Sequence, residues 1–162
     1  IDDDFDKSTL LTGAGSDKVT IGGDVKNKSS LIDLGAGDDT IAVGNIENGK
    51  IDGGDGYDKL AITNPGRSIN LDSIADHAHN FEELNISNKS QNTTLSVKLS
   101  DVISLTDGDN TLKITADAGD KVEFKDTGWQ KGASTDGYTA YTNDTSGTTV
   151  TVEIKDEVTQ PM

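Results

Sequence analysis

Nine residues, Gly53-Gly54-Asp55-Gly56-Tyr57-Asp58-Lys59-Leu60-Ala61, match the pattern G-G-x-G-x-D-x-U-x, with U a large apolar residue, at every specified position. The pattern constrains the backbone first. Its glycines let the chain bend through conformations closed to other residues, so that carbonyl oxygens come round the inside of a turn. Asp58 adds a hard carboxylate, and Leu60 opens the strand that follows. Carbonyl and carboxylate oxygens on one tight turn make a donor set for calcium (Ca2+). Two partial copies stand upstream. Thr12-Gly13-Ala14-Gly15-Ser16-Asp17-Lys18-Val19-Thr20 and Leu34-Gly35-Ala36-Gly37-Asp38-Asp39-Thr40-Ile41-Ala42 keep x-G-x-G-x-D-x-U-x and lack only the first glycine. Ordinary Gly/Asp turns are the plain alternative, because these residues dominate turns for steric reasons alone. Three copies so close together favour the metal reading.

Aligned on the second shared glycine, the copies fall at Gly15, Gly37 and Gly56, separated by 22 and 19 residues. Tandem nonapeptides are excluded. Two nine-residue half-turns make one rung of a parallel coil, so a slightly longer period suits one glycine turn per rung with a plainer loop opposite. Stacking then places Asp17, Asp39 and Asp58 in a column. The candidate calcium ligands are Gly13, Gly15 and Asp17 in the first turn and Asp33, Gly35, Gly37, Asp38 and Asp39 in the second. Asp52, Gly54, Gly56 and Asp58 supply the third. Ions at the column ends, near Asp17 or Asp58, are the candidates for an open coordination position.

The nonapeptide from Gly53 resembles those of the RTX (repeats-in-toxin) proteins, which Gram-negative bacteria export by type I secretion. A second stretch, Leu99 to Leu112 followed by Ala116-Asp117-Ala118-Gly119-Asp120-Lys121-Val122 and Gly128-Trp129, is similar to a segment of very large RTX adhesins and biofilm proteins. The chain departs from RTX lipases and proteases in having no long tandem array. The resemblance implies an extracellular, bacterial cell-surface location and a calcium-stabilised module.

Composition agrees with bound cations. The net charge is −15, and Asp outnumbers Glu 23 to 6, a preference for the short side chain that fits oxygen-lined turns. The 14 Lys and Arg form no basic cluster, so neither nucleic acid nor anionic membrane is an expected partner, and no stretch reaches membrane-spanning length. Cysteine is absent, which fits a chain cross-linked by metal in place of disulfides. The chain begins at Ile1 without a signal peptide and reads as an excised fragment, expected to be monomeric in isolation.

The expected fold is all-β and a single domain over residues 1–158. Calcium-binding β-roll-like rungs over 1–65 merge into a β-sandwich-like region over 66–158, with a short helix near 72–80. Strands are expected at Val19–Ile21, Ser30–Leu34, Thr40–Val43, Lys50–Asp52 and Lys59–Ile62, where apolar and polar residues alternate. Further runs follow at Ser68–Leu71, Glu83–Ser87, Thr93–Leu99, Thr111–Thr115, Lys121–Phe124, Tyr138–Tyr141 and Thr148–Ile154; alternation there suits a sandwich or the continuing flank of a roll. Asp72 or Ser73 is the expected cap of a helix reaching Asn80, and Ser100–Leu105 suits one helical turn. The acidic opening Asp2-Asp3-Asp4-Phe5-Asp6 is expected to be a solvated end, the alternative being that it caps the first rung or contributes to a site there.

Catalysis finds little support. His77 and His79 sit two apart on the expected helix and would point to different faces. No G-x-S-x-G, H-E-x-x-H or Walker loop is present. Trp129, Tyr138 and Tyr141 offer either a contact surface or core. Together with the resemblance, these features lead to a calcium-dependent module that binds a cell-surface peptide or glycan. The alternatives are a calcium-rigidified extender and a non-catalytic fragment of a secreted enzyme.

Overall fold

The computed structural model describes residues 1–88 and 91–160, and they form an all-β molecule with two short helices. The apolar runs are too short to stand alone, so they stack. Thr9–Leu11, Leu31–Asp33, Lys50–Asp52 and Ala78–His79 lie side by side in one parallel sheet. A second sheet holds Lys18–Thr20, Thr40–Val43, Lys59–Ile62, Glu83–Asn85, Thr111–Thr115 and Val150–Lys155 in parallel. Antiparallel Tyr138–Asn143 and Gln130–Thr135 complete its far edge. A third, also parallel, contains Ser68–Asn70, Thr94–Val97 and Lys121–Phe124. Phe5–Asp6 pairs with Val25–Lys26.

Register turns the sequence alternation into apolar columns. Val19, Ile41, Leu60, Leu84, Ile114 and Ile154 are successive partners across the second sheet, and Leu10, Ile32, Ile51 and Ala78 across the first. All but Val19 and Leu10 are buried, and they belong to one core cluster. Those two stand in the outermost strands, where no further strand covers them.

The helix expected over 72–80 is much shorter. α1 covers only Leu71–Ala75, and its N-cap is Asn70, with no side-chain cap. Ala78 and His79 instead pair with Ile51 and Asp52. Burying Ala78 in the parallel stack outweighs continuing a helix that has already placed Leu71, Ile74 and Ala75 inside. α2, Leu99–Leu105, matches the expected helical turn and packs on α1.

The acidic opening is also more ordered than a solvated end. Phe5 is buried, Asp24 N–H donates to Asp4 Oδ1 at 2.8 Å, and Lys26 Nζ lies 2.7 Å from Asp4 Oδ2. Strands at Thr9–Leu11, Val25–Lys26 and Gln130–Thr135 were beyond the sequence pattern. No helix among the described residues is long and apolar enough to cross a membrane.

Candidate metal centre

The three glycine turns stack directly on one another. Ala14, Ala36 and Asp55 form successive parallel bridges. Gly15 N–H donates to the Ala36 carbonyl and Gly37 N–H to that of Asp55, both at 2.7 Å; Ala36 and Asp55 N–H donate back to Gly13 and Gly35 at 2.8 Å. The six shared glycines have φ between +97° and +139°. Gly35 and Gly54 carry a second constraint, because a Cβ there would overlap the carbonyl oxygen of Gly13 or Gly35 in the preceding turn. A side chain at either position would force the turns apart.

Beside the glycines runs a ladder of carboxylates. Asp17 N–H donates to Asp39 Oδ1 at 2.7 Å, Asp39 N–H to Asp58 Oδ1 at 2.8 Å, and Asp58 N–H to Glu82 Oε2 at 2.7 Å. Each carboxylate thereby ties its rung to the one before. Asp39 and Asp58 are 1% and 0% exposed, yet Oδ2 of each is buried without a hydrogen-bond partner. A buried carboxylate oxygen left without a donor is costly, and a cation removes that cost. Asp58 Oδ2 would sit 2.9 Å from a Cβ built on Gly53, which would also overlap the Asn80 carbonyl oxygen. Gly53, the leading glycine that only this copy keeps, therefore leaves open the space beside two oxygens.

Electrostatics points the same way. Burial, with the carboxylates of Asp39, Asp38 and Asp52 adding, pushes Asp58 up to about 6 despite its bond from the Asp39 N–H. Burial likewise raises Glu82.

The remaining candidates divide. Asp33 and Asp52 are register partners on the first sheet, immediately before their turns, and Asn80 Nδ2 donates to Asp52 Oδ1 at 2.7 Å. Asp38 is exposed and accepts the Tyr57 N–H at 3.0 Å. Asp17 is half-buried on the outermost rung. Among the described residues no three or more His, Cys, Asp or Glu side chains group to hold a metal. What Asp39 and Asp58 offer is one unpartnered carboxylate oxygen each, a donor type that suits a hard cation. Calcium held there would neutralise the carboxylates and clamp successive turns together.

Two participants were not legible in the pattern. Glu82 extends the ladder where the glycine motif has ended, and Asn80, at φ +59°, supplies the left-handed turn residue. Asp120 repeats the device beside the third sheet: it is 1% exposed, and its Oδ1 accepts the Thr93 N–H at 2.7 Å. The sequence signal was Asp117-Ala118-Gly119-Asp120, one residue shorter than the nonapeptide allows.

The other candidates have structural surroundings. His79 Nδ1 lies 3.0 Å from the Ser104 carbonyl oxygen. Trp129 stacks on Phe124 at 4.1 Å, Tyr141 meets that ring edge-on at 5.3 Å, and Lys113 Nζ sits 4.1 Å over Tyr138.

A pH dependence follows. Asp58 titrates higher in the folded chain, near 6, than its ordinary value of 3.8, so the folded state holds more protons across that window. The metal-free protein is therefore expected to melt at a higher temperature at pH 5 than at pH 7. Below about pH 4 the trend reverses, as Glu123, held down to about 2 by Lys121 and Lys125, begins to lose its ion pairs. Thermal melts of metal-stripped protein test this, and a melting temperature that falls from pH 7 to pH 5 contradicts it.

Comparison with protein-family models, with curated proteins and with solved structures finds no match.

Proposed function

We propose that this chain is a calcium-dependent ligand-binding module of a type I-secreted bacterial RTX adhesin, recognising a peptide or glycan at a cell surface. The supporting observation is the pair of unpartnered, buried carboxylate oxygens on Asp39 and Asp58, set among stacked glycine turns. In this reading residues 1–158 are one domain. Calcium-filled β-roll rungs at its start pass into a sandwich-like continuation, with one ion at the Asp39 oxygen and one at the Asp58 oxygen. The net charge of −15 supports cations as the compensating partner and argues against nucleic acid. The role is binding without catalysis.

The test is display on glycan and peptide arrays in calcium and in chelator. Binding in calcium that disappears in chelator, and returns when calcium is restored, is the expected result. Arrays blank in both conditions favour the extender reading, and binding that persists in chelator contradicts calcium dependence.

A further inference from the structure

A cleft of about 360 Å³ lies on the third sheet, lined by Asn70, Asp72, Ser96, Lys98, Asp101 and Lys125. None of these belongs to the glycine turns. Asn70 and Ser96 are register partners, and their neighbours Ile69 and Leu95 are buried. Alternation therefore turns Asn70 and Ser96 outward on adjacent strands, about 4.8 Å apart. Neither the Asn70 amide nor the Ser96 hydroxyl has a hydrogen-bond partner among the described residues.

The other four residues are charged and mutually balanced. Lys98 Nζ lies 3.4 Å from Asp72 Oδ2, and Lys125 Nζ lies 2.7 Å from Glu123, which is not among the lining residues. Asp101 is 8% exposed; its oxygens take the Lys98 N–H at 3.3 Å and the Ser100 hydroxyl at 3.0 Å, which fixes the carboxylate in place. Asp72 and Asp101 cancel Lys98 and Lys125, so the lining is formally neutral in a chain of net charge −15.

A ligand for such a cleft needs many hydrogen bonds and no net charge. Hydroxyl groups meet both demands, since each donates and accepts, and the methylene stems of Lys98 and Lys125 can lie along C–H faces. The overall negative field disfavours anionic ligands. A peptide would call for aromatic or aliphatic anchor pockets, which this lining lacks. The volume falls within the usual range for small-ligand sites, about 300 to 1,000 Å³.

We propose that this cleft binds a neutral saccharide unit directly, with no metal ion touching the sugar. The proposal rests on the recognition reading above and gives it a location: calcium acts at a distance by ordering the rungs, and the sugar meets Asn70 and Ser96.

The test is titration of the calcium-loaded, ¹⁵N-labelled chain with the methyl glycosides of glucose, galactose and mannose, followed by NMR. At least one glycoside is expected to shift the amides of Asn70, Ser96 and Lys98 in a saturable way. Asn70→Ala and Ser96→Gln should each weaken that binding about tenfold, with the melting temperature unchanged. Shifts confined to other residues, or binding indifferent to both substitutions, overturn the proposal. Array binding that survives both substitutions also overturns the cleft while leaving the recognition reading intact, whereas blank arrays remove both.

Discussion

Gly35→Ala and Gly54→Ala are each expected to cost about 3 to 5 kcal/mol, against about 1 to 2 kcal/mol for Gly13→Ala. All three glycines have nearly the same backbone, at φ +98°, +97° and +102° respectively, so the left-handed strain of a side chain is common to them. Their neighbours differ. A Cβ on Gly35 or Gly54 runs into the preceding turn's carbonyl oxygen, whereas on Gly13 it meets nothing within 4 Å. Subtracting the Gly13 loss from the other two isolates the price of separating stacked turns. For a chain of this length the difference is on the order of 5 to 15 °C in melting temperature. Equal losses at all three positions would mean that the turns do not stack.

Calcium is expected to raise the melting temperature by on the order of 10 °C. Extracellular calcium modules bind with dissociation constants of about 0.1 to 1 mM, so two ions at about 10 mM calcium contribute about 3 to 5 kcal/mol through mass action. Each kcal/mol moves the midpoint by about 2 to 4 °C in a protein of this size. The physical source is local. Asp58 is buried, receives one N–H, and faces the further negative charge of Asp39, Asp38 and Asp52. Asp39→Ala and Asp58→Ala should therefore each lose about half of the calcium response, one ion of the two, whereas Asp24→Ala and Asp136→Ala should keep it. Asp24 lies in the loop on the far side of the rung, bonded through its N–H to Asp4, and Asp136 is exposed in a turn.

The glycine turns were legible because their chemistry is local. A residue at positive φ followed by aspartate and an apolar strand has a short-range signature, and Gly35, Gly54 and Asp58 stand as that signature implies. Strands such as Thr40–Val43, Thr111–Thr115 and Lys121–Phe124 were equally local, since alternation in a short run fixes which side faces in. What lay beyond the sequence was set by neighbours one rung away. Ala78–His79 is a strand because Ile51 and Asp52 offer a free edge, although the run around it carries helix-forming residues. Glu82 joined the ladder because the Asp58 N–H needed an acceptor, and no motif marks a glutamate for that work. The opening Asp4 became ordered through Asp24 and Lys26, twenty or more residues on, a distance no window over the sequence covers.

The measurement that bears most directly on the metal centre is a pair of thermal melts of the parent chain and Asp58→Asn, each metal-stripped and in about 10 mM calcium. Asparagine keeps the Oδ1 acceptor for the Asp39 N–H and replaces the unpartnered charged oxygen with an amide. Without calcium the variant should melt above the parent, because a buried, repelled charge has gone; with calcium it should melt below, because a ligand has gone. The two curves are predicted to exchange order. A parent chain that melts at the same temperature with and without calcium, or a variant that gains as much from calcium as the parent does, would contradict a cation bound at Asp58.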